Sequence, residues 1–252
     1  MTSRIYYLEA RNELLKFVRM KSYALSALLF PLMFYCFFGL AMGQQSGTSL
    51  SMARYLIATY GTFAIMGSTL YAFGAGVAVE RGLGWLEVKR ASPMPAGAYF
   101  FAKGFASITI GAATILMLFA LGALFGGVRM DPGQWLLTFV ALVAGAIPFC
   151  ALGLIIGNLA GPNSAPATVN MIYLPLAFLG GLWIPIQFLP KALQNVAPML
   201  PSYHLAQIAL SIQNAPVQGT VLGHVEALAA FACVFIGAAV LAQSREREKM
   251  YG

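Results

Sequence analysis

One internal stretch, residues 80–103, carries six charged side chains that a soluble partner could contact, and we call it the charged link. It contains Glu80, Arg81, Glu87, Lys89, Arg90 and Lys103, and more than 20 uncharged residues lie on either side of it. A charged side chain at the centre of a bilayer costs about 2.5–3.5 kcal/mol on the insertion scale. The charged link is therefore predicted to lie in water, between two membrane spans.

The middle of the charged link, residues 83–91, can form a short helix with Leu83, Leu86 and Arg90 on one face. Pro93 ends this helix, because proline disfavours helical geometry at the residue before it. A short rigid helix between two spans offers a surface that a soluble partner can push. The alternative for the same residues is a solvated loop without a partner.

Patterns that would indicate catalysis by this chain are weak. The sequence has no G-x-x-x-x-G-K-[ST] loop, so we do not expect it to bind and hydrolyse ATP by itself. The H-E-x-x-H and G-x-S-x-G patterns are also missing. Three cysteines, an odd number, lie inside apolar runs and argue against a disulfide framework or a zinc site: Cys36, Cys150 and Cys233. We predict no catalytic residue and no metal ligand.

Three further ionisable residues lie towards the end of the chain. We interpret His204 and His224 as polar residues at the outer membrane interface rather than as ligands. Glu226 stands near the outer end of the last predicted span. An ionisable residue inside a membrane is a functional candidate, although a carboxylate at this shallow depth also reaches water.

The composition indicates an integral membrane protein. The 252 residues are 60% hydrophobic and only 9% charged, whereas soluble domains carry about 25% charged residues. The net charge of +7 does not indicate nucleic-acid binding, because the basic residues lie at the ends of apolar runs. Residues 1–21 alternate charged and apolar positions, which is unlike a cleavable signal peptide.

The apolar runs predict an all-α protein with six transmembrane helices in a single domain, residues 1–252. A basic amphipathic helix in residues 1–21 is expected to lie in the headgroup layer. The other predicted parts are spans 1 and 2 in 22–79 (at 22–43 and 54–79), the charged link in 80–103, spans 3 and 4 in 98–156, span 5 in 165–183, an outer helical pair in 184–221, span 6 in 222–243 and a tail in 244–252. Glycines near the end of span 2 predict close contact with another helix: Gly67, Gly74 and Gly76.

The segment after span 5 is apolar but too rich in proline for one straight span. Two short helices, Lys191–Val196 and Ser202–Ile212, fit it better. We predict a re-entrant or interfacial helical pair on the outer side, because broken helices at membrane depth need protein or water around their backbone groups.

The distribution of basic residues predicts the orientation. Twelve of the 15 Lys and Arg residues lie before span 1, in the charged link or in the tail, and three lie in the other links. Six crossings with both termini in the cytoplasm therefore satisfy the positive-inside rule, and the predicted location is the plasma (inner) membrane.

The order of these parts resembles the permease subunits of type-2 ABC exporters. One likeness is the pattern E-R-G-L-x-x-L-x-x-x-R-x-S-P, carried by Glu80, Arg81, Gly82, Leu83, Leu86, Arg90, Ser92 and Pro93 and followed by Tyr99 and Lys103. The other is the proline-rich outer segment, with Pro185, Pro190, Pro198, Pro201, Tyr203 and His204. The resemblance spans essentially the whole chain.

The resemblance implies that two copies pair as a homodimer, each resting on a separate ATP-binding subunit that binds ATP and Mg²⁺. No cofactor is expected in this chain. The short helix would be the coupling helix, and the residues implied at the ATPase contact are Glu80, Arg81, Gly82, Leu83, Trp85, Leu86, Glu87, Arg90 and Pro93. The six proline-rich segment residues would form an outer re-entrant gate.

The implied function is ATP-driven export of a lipophilic or amphipathic substrate (a drug, natural product or lipid) from the cytoplasm or inner leaflet. One alternative is a gradient-driven secondary transporter or channel, which would favour buried acidic residues in mid-span or an internal repeat. Another is a membrane-embedded lipid-modifying enzyme, which would need Asp, Glu or His clustered at one depth. The sequence shows neither feature.

Overall fold

A computed structural model of the protein describes residues 2–19, 29–41 and 52–251, apart from the side chains of Ala41, Arg90, Ala96 and residues 245–251. The described residues form helices and no strands. The helices are α1 (Thr2–Arg19), α2 (Leu29–Leu40), α3 (Met52–Gly82), α4 (Trp85–Ala91), α5 (Ala96–Leu124), α6 (Pro132–Leu159), α7 (Ala165–Leu179), α8 (Lys191–Val196), α9 (Pro201–Ile212) and α10 (Val221–Tyr251). Short 3-10 turns, Ile186–Phe188 and Ala197–Met199, flank α8.

The central helix is α3, which contacts α5, α6, α7 and α9. Its fully buried side chains include Leu56, Ile57, Tyr60 and Phe63. A Cβ atom on Gly67 would come within 2.6 Å of the Tyr173 hydroxyl, and one on Gly74 within 2.6 Å of Val169 Cγ2. The predicted close helix contact at these two glycines is confirmed, and the partner is α7.

Four segments of the described chain are long and apolar enough to cross a membrane: Met52–Gly82, Gly97–Leu124, Pro132–Leu159 and Val221–Ser244. The shortest has 24 residues, which extend about 36 Å and exceed the hydrocarbon core of about 30 Å. These four segments correspond to the predicted spans 2, 3, 4 and 6. The apolar helices α2 and α7 lie within the predicted spans 1 and 5. Helix α7 is shorter than predicted span 5.

The predicted end of span 5 at Trp183 is wrong, because α7 ends at Leu179. The chain turns at Gly180 and Gly181, and the φ of 71° at Gly181 is a conformation that suits glycine. The 15 residues of α7 extend about 22 Å, which is too short to cross the hydrocarbon core alone. Pro175 lies inside α7 without ending it.

Other boundaries differ from the predicted ones by a few residues. Helix α3 begins at Met52, two residues before the predicted start of span 2. Helix α10 continues to Tyr251, so the charged tail from residue 244 extends the last helix. The predicted parts at residues 20–28 and 42–51 lie outside the described residues.

The proline-rich segment folds as two short helices, as predicted. The predicted bounds of α8 are confirmed, and α9 starts at Pro201, one residue earlier than expected. The hydroxyl of Ser202 donates to the Leu176 carbonyl oxygen at 2.7 Å, which attaches α9 to the end of α7. The re-entrant position of this pair in a membrane stays a prediction.

One hydrogen bond fixes which end of the molecule α9 occupies. Arg54, in the first turn of α3, donates from Nη2 to the Gln213 carbonyl oxygen just after α9, at 2.8 Å. Because α4 follows the other end of α3, the last residues of α9 and the start of α4 lie at opposite ends of this 31-residue helix, about 46 Å apart along its axis.

We expect Gly84→Ala to lower the free energy of unfolding by about 1–2 kcal/mol, the cost of left-handed backbone for a residue with a Cβ. Gly84 joins α3 to α4 with φ 73°, and no atom lies within 4 Å of the position of an added Cβ. Denaturant titration of the purified protein in detergent measures the change. Gly133→Ala is the control, since Gly133 has equal space but lies within α6 without a positive φ, and it should not destabilise the protein. Equal losses at both positions would refute the explanation.

Candidate functional site

The surface of the charged link that a partner can reach is formed by α4 and the turns around it. Leu83, Trp85 and Val88 are 64%, 50% and 72% exposed. Glu87 is exposed beside them, and Pro93 is exposed after the end of α4. Large apolar side chains at a surface that also carries charge are typical of a protein–protein contact.

The structure changes which residues belong to the short helix. Leu83 caps the end of α3, because the left-handed turn at Gly84 interrupts the helix before α4 begins. The predicted face of Leu83, Leu86 and Arg90 is therefore wrong at Leu83. Leu86 is half-buried and packs against the buried cluster that contains Phe17 of α1. The side chain of Arg90 lies outside the described residues.

Four charged side chains from three helices meet close to the start of α4, and we call them the ion cluster: Glu13 and Lys16 of α1, Glu80 of α3 and Lys103 of α5. Lys103 Nζ lies 2.8 Å from Glu13 Oε1 and 3.1 Å from Glu80 Oε1. Lys16 Nζ lies 2.7 Å from Glu13 Oε1 and also contacts Glu80 Oε1. The side chain of Lys103 is 1% exposed, and those of Glu13 and Glu80 are 7% exposed.

The ion cluster corrects the prediction that the whole charged link lies in water. The first and last residues of the charged link, Glu80 and Lys103, are buried inside the protein. Burial is tolerated because the two carboxylates and two ammonium groups are mutually paired, whereas an unpaired buried charge is far more costly. The Tyr99 hydroxyl also donates a hydrogen bond to Glu80 Oε2 at 2.6 Å.

Lys16 stays charged at neutral pH inside the ion cluster. Burial lowers the pKa of Lys16, but the nearby carboxylates of Glu80 and Glu13 outweigh burial and raise this pKa above its ordinary value of 10.5. The pairing of Lys16 therefore contributes stability at neutral pH, and that contribution is lost only when the pH rises through the raised pKa.

Arg81 fastens the end of α3 to the end of α6. Its Nη2 donates to the Ala160 carbonyl oxygen at 2.6 Å, and its Nη1 donates to that of Asn158. A cation is favourable there because the last carbonyl groups of a helix carry partial negative charge. A Cβ on the neighbouring Gly82 would lie 2.6 Å from Pro162, so the link after α6 also packs closely on the end of α3.

We expect Arg81→Gln to lower the free energy of unfolding by about 1.5–3 kcal/mol, because hydrogen bonds from a charged donor are worth about that much. The loss should appear in thermal or denaturant unfolding and as faster amide exchange in residues 158–165. Arg129→Gln removes an exposed arginine and should leave both measurements almost unchanged. Equal effects of the two substitutions would show that Arg81 does not hold the two helices together.

Sequence reasoning placed a helix at the start of the chain but missed its role in this site. Helix α1 lies where the amphipathic helix was predicted, and its buried residues are Ala10, Glu13 and Phe17; its place in the headgroup layer stays a prediction. They lie three and four positions apart and so share one face. A carboxylate on the apolar face was the available signal that α1 meets a buried cation.

A cavity of about 450 Å³ lies between the end of α1 and the turn from α3 to α4. Its walls include Phe17, Tyr71, Val79, Leu83 and Trp85, together with side chains of the ion cluster. Trp85 therefore borders both this cavity and the outer surface of the protein.

The residues predicted for an outer gate lie around α8 and α9, at the other end of α3. Of these, Pro185, Pro201, Tyr203 and His204 are buried, and Pro190 and Pro198 are exposed. His204 and His224, interpreted as polar residues at the outer membrane interface, are buried in the protein at 7% and 5% exposed, and their depth in the membrane stays a prediction. Their Nδ1 atoms lie 2.9 Å apart. Glu226 is exposed on α10, and a role for it stays a prediction.

A family model described as "ABC-2 type transporter" matches residues 6–214 of the chain, which include nearly all of α1 and everything through α9. The chain belongs to the ABC-2 type transporter family. This ABC-2 permease is also similar to "Putative transport permease YvfS" of Bacillus subtilis (strain 168), with 29% identity over 192 residues. That alignment covers 76% of this chain and 78% of the relative.

Family membership confirms the resemblance inferred from the charged link and the proline-rich segment. An ABC-2 permease is the transmembrane subunit of an ABC transporter, so this chain is a multi-pass membrane protein. Membership also implies a partnership with an ABC ATP-binding subunit. The exposed side chains of α4 are candidates for the contact with that subunit.

Proposed function

We propose that this ABC-2 permease is part of an ATP-driven export complex that moves a lipophilic or amphipathic molecule out of the cytoplasm or inner leaflet. The observation that carries the proposal is α4, a short helix with exposed Trp85 and Val88 next to buried, mutually paired charges. ATP and Mg²⁺ are bound by the separate ATPase subunit, and hydrolysis takes place there.

The exposed face of α4 fits a groove on the ATPase. Trp85 supplies a large rigid side chain, the residue type that most often dominates the binding energy of an interface. Leu83 and Val88 extend the apolar area, and Glu87 adds a charge that can fix the orientation. The contact predicted for Trp85 and Glu87 is thereby extended to Val88, which the sequence did not single out.

The ion cluster couples α4 to three other helices. The four charges of the cluster hold α1, α3 and α5 together at the point where α3 leads into α4. A force on α4 therefore moves the ends of three helices together, because separating them would leave buried charges unpaired. ATP binding favours one of two arrangements of the permease only if the ATPase binds that arrangement more tightly.

We propose six spans with both termini in the cytoplasm, with α2 in the first span and α7 in the fifth. Helix α10 begins beside α9 and has 31 residues, so its basic end lies towards α4 and α1, as the positive-inside rule requires. A cysteine replacing Val88 in a cysteine-free background tests this arrangement. A membrane-impermeant thiol reagent should label it in inverted vesicles and not in intact cells; the reverse result would contradict the topology.

The apolar faces of α2 and α7 support a second copy of the chain as a further partner, in a complex with two ATPases. Phe30, Met33 and Phe37 of α2 and Met171 of α7 are exposed, and the 15 residues of α7 are too few to cross the hydrocarbon core alone. Packed aromatic rings connect the two helices through α3. They include Phe34, Phe63, Tyr173 and Trp183, with Phe63 stacked on Tyr173 at 4.6 Å. Exposed apolar and aromatic side chains beside them suit a lipophilic or amphipathic substrate.

Reconstitution with the ATPase subunit in proteoliposomes tests the function. Lipophilic compounds that are substrates should stimulate ATP hydrolysis and be transported only when ATP is present on the α4 side. Val88→Asp should abolish both effects, and Phe125→Asp should not, since Phe125 is equally exposed but follows α5 at its opposite end. Transport driven by an ion gradient without the ATPase would contradict the proposal.

A further inference from the structure

The two histidines of the sequence face each other where α9 meets α10. His204 Nδ1 lies 2.9 Å from His224 Nδ1. The second ring nitrogen of each residue lies against a backbone carbonyl oxygen, with His204 Nε2 2.9 Å from Pro198 O and His224 Nε2 2.8 Å from Gln218 O. All four ring nitrogens thus have a partner at hydrogen-bond distance.

The partners determine how many protons the two rings carry. A carbonyl oxygen only accepts hydrogen bonds, so each Nε2 must carry a hydrogen. Two neutral rings would then direct two bare Nδ1 lone pairs at each other across 2.9 Å. Two fully protonated rings would instead direct two N–H groups and two positive charges at each other. One proton on either Nδ1 gives an N–H···N hydrogen bond, so the arrangement is satisfied by three protons on four nitrogens.

We propose that His204 and His224 form a proton-binding site that holds one shared proton and so locks α9 to α10 at the end of the molecule opposite α4. With the proton bound, the N–H···N hydrogen bond joins the two helices. When the proton leaves, two lone pairs face each other and the contact opens. The inference goes beyond the export function and does not depend on it.

The shared proton is the source of positive charge at the histidine pair, because the nearby charged side chains are exposed or contact other residues. Tyr203 contacts both rings, with centroids 5.5 and 5.7 Å away. The other titratable or charged side chains on the packed elements near the pair are Arg54, Tyr55 and Tyr60 of α3, Tyr173 of α7, Lys191 of α8 and Glu226 of α10. The first half of α6 carries none, and its second half, which packs on α10, carries Cys150. Lys191 and Glu226 are exposed, and Arg54 contacts the other end of α9.

The electrostatics of His204 agree with one proton rather than two. Burial lowers the pKa of His204, the Pro198 carbonyl opposes that shift, and a charge on His224 lowers the pKa further. A charge on His224 therefore makes a second proton on His204 less favourable.

Solid-state NMR of the full-length permease in bilayers, with ¹⁵N-labelled histidine and a histidine-free purification tag, tests the proposal directly. As the pH falls from about 9 to about 4, around the ordinary histidine pKa, protonated ring nitrogens should increase from two to three. They should remain at three over at least about one pH unit before reaching four. Coupling between the two Nδ1 nuclei should be observable on that plateau. A single step from two to four, or a constant two, would overturn the proposal.

Two variants and the addition of Zn²⁺ distinguish a shared proton from independent titration of each histidine and from a metal site. His224→Gln should remove the plateau, so that His204 titrates in one step, whereas Lys191→Gln should preserve it. Amide exchange in α9, corrected for intrinsic pH dependence, should accelerate at least tenfold when the wild-type pair loses its proton and should show no such step in His224→Gln. Unchanged exchange would refute the lock. Replacement of the shared-proton signal by stoichiometric Zn²⁺ at neutral pH would identify a metal site and overturn the proton assignment.

Discussion

Replacing Lys103 with methionine is expected to destabilise the permease by about 3–5 kcal/mol, the cost of removing one partner from a buried ion pair. Methionine is also a long, unbranched side chain, but it lacks the ammonium that lies 2.8 Å from Glu13 and 3.1 Å from Glu80. The two carboxylates would then share Lys16 alone. Denaturant and thermal unfolding of the purified protein in detergent measure the loss.

A second substitution separates the loss of charge balance from the loss of packing. Lys103→Met combined with Glu80→Gln leaves Glu13 and Lys16 as a balanced pair, so the double variant should recover at least half of the lost stability. Glu87→Gln removes an exposed carboxylate from the same charged link and should change stability by less than about 0.5 kcal/mol. No recovery in the double variant, or an equal loss in Glu87→Gln, would show that the charges do not stabilise one another.

Replacing Trp85 with alanine is expected to weaken binding of the ATPase subunit roughly 30-fold, or about 2 kcal/mol, while the permease alone keeps its stability. Trp85 is half exposed, and Leu83 and Val88 beside it are more exposed still. The burial of these side chains is therefore completed only when a partner covers them. A binding titration with the purified ATPase, together with unfolding of the permease alone, separates the two effects.

Phe125→Ala is the matched control for Trp85→Ala. Phe125 is 68% exposed, and it follows the end of α5 that is farthest from α4. Its replacement should leave ATPase binding unchanged. If Trp85→Ala destabilised the permease and left binding intact, the role of Trp85 would be to line the cavity rather than to contact the ATPase.

The long helices and the position of α4 could be predicted from the sequence because each depends on neighbouring residues. Uncharged runs on either side of the charged link allow only apolar helices, and the proline after α4 limits its length. The break at Gly84 could not be predicted, since glycine adopts left-handed and right-handed backbone about equally readily. The early end of α7 has the same cause, because Gly181 also takes a positive φ.

The two polar clusters depend on contacts that no local pattern encodes. Glu13 and Lys103 are separated by 90 positions, and they meet only because α1 packs on α5. His204 and His224 are 20 positions apart on different helices. Considered alone, each of these residues is expected in water, because a single unpaired charge is costly inside a membrane. Burial becomes acceptable once the partner is present.

Crosslinking within the assembled complex tests most directly whether α4 is the contact with the motor. A photoreactive amino acid in place of Val88 should form an adduct with the ABC ATP-binding subunit, identified by mass spectrometry, and the yield should change when ATP binds. The same amino acid in place of Phe125 should form no such adduct. An adduct at Phe125 and none at Val88 would place the ATPase at the other end of the helices and contradict the proposed coupling.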